Sequence, residues 1–427
     1  MRVSLLARAA AAALAVAAVP LPSLVLAIPA AEQPTTLEEL LAYAELHSPM
    51  NLNARARLLR GQAAIDAAAP TFQSNPQLAS QVGARSGGGG PEFELSLTQP
   101  LEMSGQQGLR RSAAHLVAAT ARSSADETAW EVHRAVHNGW NEVVAAHLQV
   151  SLAKAVLASA EATAALWGKR AKAGEEPPLT LLVGQIEVAQ ARQGLLMAEA
   201  TLTQTLIALQ ESAGWPIDKP LAIRGELPKL RPAPSLQELQ QRALAGSPRL
   251  RSALAGVAQA EAQQRLEDRS AAPVPSFGIR YAQEAGGATS AHIVQATLGL
   301  ALPVWNANRL ERLRARAESA VAQVEQRTTE RSVAFQLARS QAAVQAALAR
   351  AEAAQSLLGA SFEQQLQLLE RAHQLGEVDA LQVGQARSRL WQARQQAVSA
   401  HLDYARSLAD LEAILGQEVW PAKAGTP

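Results

Sequence analysis

The strongest constraint on this sequence is that it holds one unit twice. Thr36-Leu37-Glu38-Glu39-Leu40 returns as Ser235-Leu236-Gln237-Glu238-Leu239, and Ser48-Pro49 returns as Ser247-Pro248, both 199 residues later. Pro76-Gln77-Leu78 matches Pro275-Ser276-Phe277 at the same offset. Further on, Gly174, Leu179, Gln190-Ala191-Arg192 and Gly214 match Gly376, Leu381, Gln392-Ala393-Arg394 and Gly416 at an offset of 202. Landmarks in constant register, with one small insertion between them, mean duplication, so the fold must be built from two copies of one unit. The reading divides the chain into a first repeat over 28–215, a proline-rich connector over 216–234, a second repeat over 235–420 and a tail over 421–427. The connector holds Pro216, Pro220, Pro228, Pro232 and Pro234 and can be neither helix interior nor central strand.

Each copy reads as helix, two strands, long helix, tight turn, helix. The first helix is predicted over Leu37 to Ala69, with a counterpart from Leu236 to about Ala271. Nothing decisive breaks a helical pattern from Ser104 to Lys172, a run that would reach roughly 100 Å and that no compact domain accommodates. After the turn, Val188, Ala191, Leu195, Ala198, Leu202, Thr205, Leu209 and Ser212 step by three and four as a coiled-coil seam does, and the second copy repeats the seam from Leu390 to Ile414. Composition agrees: residues are 48% hydrophobic but only 4% aromatic, with alanine dominant. Alanine favours helix and lets backbones approach closely.

The strand segments alternate. Leu78, Ser80 and Val82 oppose Ala79, Gln81 and Gly83; Phe93, Leu95 and Leu97 oppose Glu94, Ser96 and Thr98; the second copy sets Phe277, Ile279 and Tyr281, then Val294, Ala296 and Leu298, against Arg280, Gln295 and Thr297. One face is apolar and one polar. Lipid satisfies no backbone hydrogen bonds, so a membrane sheet must close, and four strands cannot close alone. A membrane reading therefore requires several chains, and three would give about twelve strands. In it, Gln81, Arg85, Glu94, Ser96, Thr98, Arg280, Gln295 and Thr297 line a water-filled pore. The bland alternative is a soluble two-hairpin sheet packed on helices.

The N-terminus sets the compartment. Arg2 and Arg8 flank an apolar run, Leu5 to Val19, followed by Pro20, Pro22 and Val25-Leu26-Ala27, which reads as a signal peptide over 1–27. Removing those two arginines from 39 basic residues leaves 37 against 38 acidic ones, so no basic face for nucleic acid is implied. Without cysteine, the chain has no disulfide, thiolate site or lipid-attachment thiol. By this reading no later segment reaches the length of an apolar transmembrane helix, which leaves the strands to cross any membrane.

Taken together, the duplicated helix–hairpin–long-helix unit, the paired Ser-Pro steps, Gln99-Pro100-Leu101-Glu102 after the first hairpin, and Arg170 to Gly174 and Arg371 to Gly376 leading into Leu179 and Leu381 resemble the TolC family. The resemblance covers essentially the whole mature chain. It implies a mainly α fold with four β-strands per chain contributed to a shared trimeric barrel in the Gram-negative outer membrane. It also implies a periplasmic α-barrel bearing most of the mass, an equatorial connector, and partnership with a periplasmic adaptor (membrane fusion) protein and an inner-membrane pump. The implied function is that of a passive efflux conduit, not an enzyme, with no cofactor. In that family the turns at Gly174–Leu179 and Gly376–Leu381 form the tip that docks on the adaptor and opens; each glycine suits a turn position needing positive φ, and each leucine restarts the packing face after it. Many members carry an acid six residues after the glycine; here Thr180 and Gln382 stand there, so carboxylate gating is not carried over. The run Gln99 to Gly105 looks most like the branch serving cobalt-zinc-cadmium export. Alternatives are a soluble periplasmic coiled-coil scaffold and a channel for type I protein secretion.

Other chemistry is sparse. His133 and His137 share a helix face, but Arg134 stands where a zincin needs glutamate and no third ligand is evident, so no metal site is expected. Trp130, Trp140 and Trp167 read as packing residues. No catalytic motif is visible.

Overall fold

The computed structural model describes residues 36–84, 91–174, 177–286, 289–358 and 361–420. The expected signal peptide, the tail and Arg85 lie outside them. The first copy comprises α1 (Leu37–His47), α2 (Pro49–Ala68), β1 (Gln77–Ala84), β2 (Pro91–Pro100), α3 (Gln106–Lys172) and α4 (Pro178–Ala213). The second comprises α5 (Leu236–Gly246), α6 (Pro248–Ser270), β3 (Pro275–Gly286), β4 (Thr289–Leu300), α7 (Arg309–Leu358), α8 (Ser361–Gln374) and α9 (Ala380–Leu415).

The expected single first helix is two helices in each copy. Pro49 and Pro248 occupy the first helical position of α2 and α6, where a missing N–H costs nothing, and the preceding serine is forced out of helical backbone. The break has a use. Gly214, which ends α4 at φ 72°, lies so close to it that a Cβ there would stand 2.1 Å from the His47 carbonyl oxygen. Gly416 repeats this at the end of α9, where a Cβ would meet Gly246 O and Pro248 Cδ at 2.6 Å. Each repeat thus seats its last turn in the notch made by its own Ser-Pro step.

Two matching cores hold the repeats. Leu40, Ala44, Val132, Val136, Val143 and Leu209 form one with Trp140 and Trp215; Leu239, Ala243, Val333, Leu337, Val344 and Leu411 form the other with Tyr404 and Leu415. The helices meet through small side chains, as Gly61 shows: a Cβ there would lie 2.9 Å from Ala118 Cα. The connector is fastened on several sides. Trp215 Nε1 and Gln210 Nε2 donate to Lys219 O, Tyr404 Oη exchanges hydrogen bonds with the Arg231 backbone, and Gly225 admits the Trp140 ring.

One expectation fails. An 18-residue stretch of α3 is long and apolar enough to cross a bilayer by length and composition, and 44% of it is buried within the protein.

Candidate functional site: the two-faced sheet, the turns and the tie between repeats

The four strands form one antiparallel sheet in the order β1-β2-β3-β4, so a hairpin from each copy meets at the β2–β3 seam. Directly paired residues share a face. Gln81 pairs with Glu94; Ser96 pairs with Arg280, which pairs with Gln295; Thr98 pairs with Gly278, which pairs with Thr297. Every polar strand residue named from the sequence, Arg85 excepted, therefore lies on one side. Arg280 crosses that side, donating from Nη2 to Glu94 Oε2 at 2.6 Å and from Nη1 to Gln295 Oε1 at 3.2 Å. On the other side Leu78, Val82, Leu97, Ile279, Val294 and Leu298 are exposed, with no helix over them in the protomer. β1 and β4 each have an edge without a strand partner among the described residues.

The segment Gln99 to Gly105 makes the junction from sheet to long helix. Leu101 N donates to Pro275 O at 2.8 Å, tying the end of β2 to the start of β3. Arg110 grips Glu102 with both terminal nitrogens, at 2.9 and 2.5 Å, and Gly105 turns the chain into α3 at φ 80°. Such a bidentate pair fixes direction as well as distance.

At the opposite end of the long helices, Gly174 and Gly376 adopt φ 81° and 75°, the left-handed conformation that closes a helix. Gly376 N donates to His373 O and Glu377 N to Ala372 O, satisfying the last carbonyls of α8. Asp379 then starts α9 in a reciprocal cap: it accepts from Gln382 N at 2.7 Å and its own N–H donates to Gln382 Oε1 at 3.1 Å. Gln382, at one of the two positions without the expected acid, is thus used in helix initiation. Thr180 is buried, whereas Leu179 is 67% exposed and does not join the packing face within the protomer. Behind the turn, fully buried Trp167 donates from Nε1 to His373 Nε2 at 2.9 Å, which leaves Nδ1–H to donate to Val378 O.

Two turns further from that end, Arg387 of α9 joins both repeats. Nη1 donates to Glu187 Oε2 at 2.9 Å on α4 and Nη2 to Thr163 Oγ1 at 2.8 Å on α3. Gly384 leaves the room: a Cβ there would lie 1.9 Å from Glu187 Oε1. Burial raises the Glu187 carboxyl above its ordinary value, and the nearby guanidinium pulls it back only in part.

Glu412, which the sequence reading did not single out, comes from α9 to the His133–His137 pair of α3. Trp140 and Trp167 are buried as expected of packing residues, and Trp130 lies against His133 with ring centroids 4.8 Å apart.

Comparison with known proteins follows the same lines. Residues 239–417 match the sequence model of the family described as outer membrane efflux protein. No curated protein matches the sequence closely. The fold is similar to that of CusC, whose structures concern folding and transmembrane channel formation, with TM-score 0.72, 18% identity and coverage of 89% of this chain and 92% of that one. It is similar too to the Campylobacter jejuni CmeC outer membrane channel, with TM-score 0.72, 14% identity and coverage of 89% and 85%. The open state of the Neisseria gonorrhoeae MtrE outer membrane channel gives TM-score 0.68, 19% identity and coverage of 90% and 89%.

Proposed function

From a second repeat that carries the outer membrane efflux pattern and a chain that folds throughout as outer-membrane channels do, we propose that this protein is the outer-membrane component of a tripartite efflux system. It is a passive conduit and not an enzyme. One observation carries the reading: a four-stranded sheet with one exposed apolar face, one polar face and two edges open to pairing. A soluble scaffold has no use for such a face, which water penalises by roughly 25 cal/mol for each Å² left exposed. In lipid the apolar face is the stable one, and β1 of one chain pairs with β4 of the next until the sheet closes.

Three chains close a twelve-stranded barrel of the size such membranes hold. Gln81, Glu94, Ser96, Thr98, Arg280, Gln295 and Thr297 then face its lumen. The long helices continue the tube into the periplasm. The turns at Gly174–Leu179 and Gly376–Leu381 make its end, where outward-facing Leu179 suits an apolar contact with an adaptor, which in turn joins an inner-membrane pump. Arg387, Glu187 and Thr163 hold that end narrow, because the tie must part before α4 and α9 can separate. The cargo is divalent heavy-metal cations, a reading supported by the Gln99 to Gly105 junction.

Mass of the detergent-solubilised mature protein by light scattering, corrected for bound detergent, tests the assembly. Three chains per particle is the expected result; a stable water-soluble monomer would sink the channel. Deleting the protein in its own cell should lower tolerance to zinc, cobalt or cadmium. Unchanged metal tolerance with impaired export of a polypeptide would transfer the cargo to type I secretion.

A further inference from the structure

At the level of the connector, away from both sheet and turns, α3 of the first repeat meets α9 of the second. His133 and His137 leave the same face of α3, four residues apart, with ring centroids separated by 5.3 Å. Glu412 reaches them from the last turn of α9. Each of the three offers one ligand-type atom, and these atoms all lie within 4.8 Å of one another. Glu412 is 5% exposed. Its Oε1 accepts from Val419 N at 3.0 Å, while Oε2 is buried with no hydrogen-bond partner. His133 Nε2 and His137 Nδ1 are buried in the same way without partners.

Orphaned buried polar atoms are costly and uncommon, and three side chains that each carry one, with ligand-type atoms within 4.8 Å of one another, call for an occupant. Two imidazoles and a carboxylate are the N/O donor set of zinc and of neighbouring divalent transition metals. The carboxylates of Glu38 and Glu418 add negative potential at the two histidines. We propose that His133, His137 and Glu412 bind one divalent transition-metal cation of the zinc type, which staples the first repeat to the second.

The geometry needs little adjustment. Bonds of about 2.0–2.1 Å in a tetrahedral site set donors about 3.4 Å apart, so the present spacing closes by rotations that move atoms by about 1 Å. The fourth position falls to water. The repeat itself argues that packing does not dictate these residues. Core residues Val132, Val136 and Val143 correspond to Val333, Leu337 and Val344, so the second repeat has Ala334 and Ala338 at the positions of the histidines; Leu209 corresponds to Leu411, so the first repeat has Gln210 at the position of Glu412. The unit folds twice, and only one copy carries the ligands. The ion is a resident of the protein, separate from anything that passes through it.

The test uses the full mature chain in detergent, stripped with chelator and titrated with Zn²⁺ by calorimetry. One ion per chain is expected, with a rise in Tm on loading, and Glu412→Gln or His137→Gln should weaken binding about 100-fold or more. Binding of equal stoichiometry and affinity in the variants would place any zinc elsewhere and overturn the site, and no binding to the unmodified chain would do the same. Should a variant fail to fold, the unmodified protein loaded with Cu²⁺ decides: pulsed electron paramagnetic resonance should show coupling to two imidazole nitrogens, and a spectrum without them rejects the proposal.

Discussion

Arg387 on α9 and Glu187 on α4 form a nearly buried ion pair across the two repeats, with Nη1 and Oε2 2.9 Å apart and the side chains 5% and 17% exposed. The second arm of the same guanidinium is spent on Thr163, so one residue couples three helices near the turns. Breaking a buried pair by removing one partner leaves the other charge uncompensated, at about 3–5 kcal/mol. Arg387→Met should therefore loosen the turn end while leaving the distant sheet intact. In planar bilayers its conductance should exceed that of the unmodified protein, with the same mass in detergent. Equal conductance would remove Arg387 from any role in closing the tube.

The same pair sets a pH dependence. Glu187 has a folded value raised above its ordinary one near 4.5, with burial as the main cause. Folding therefore favours its protonated form. The stabilisation is complete below the unfolded value and is lost as pH rises through the raised folded value. Tm should fall over that window in the unmodified protein, and Glu187→Gln should flatten the fall; an identical profile in both would assign the dependence to other groups.

Gly214 and Gly416 meet two demands at once, a positive φ and an approach to backbone that leaves no room for a Cβ. Alanine at either should destabilise its own repeat by at least about 1–3 kcal/mol from backbone strain alone, with the displaced contact added. Gly194, which has open space around its Cβ position in mid-α4, is the control: alanine there should be neutral or stabilising in a thermal melt.

Neighbouring residues of β4 test the two faces. Leu298 is exposed on the apolar side and Thr297 belongs to the polar side. Arginine on a lipid-facing strand costs about 2–4 kcal/mol near the bilayer midplane. Leu298→Arg should reduce the amount of assembled protein recovered from outer-membrane fractions, while Thr297→Arg should assemble normally and alter ion selectivity. The opposite pattern would reverse the assignment of the faces.

Much of this was legible because it is written in short-range pattern. Alternation fixes the face of every strand residue, so Gln81, Glu94, Thr98, Arg280, Gln295 and Thr297 could be grouped before any pairing was seen. The glycines at 174 and 376 announced their φ because few other residues tolerate it. The Ser-Pro steps read from the sequence as landmarks of the repeat rather than as helix breaks, because proline at a first helical position is easily absorbed into a longer helical pattern. Leu179 was expected to resume the packing face, yet Thr180 is the buried residue there. Glu412 could not have been joined to His137 from the sequence, since only the packing of α9 on α3 brings them together across a separation of 275 positions.

The unpaired outer edges of β1 and β4 bear on kinetics. A lone protomer in lipid would strand a row of hydrogen-bonding groups along each edge, so it has no stable inserted form, and insertion cannot precede association. Membrane entry should accordingly depend on a power of protein concentration greater than one, and a cell short of this chain would lose channels faster than it loses chains.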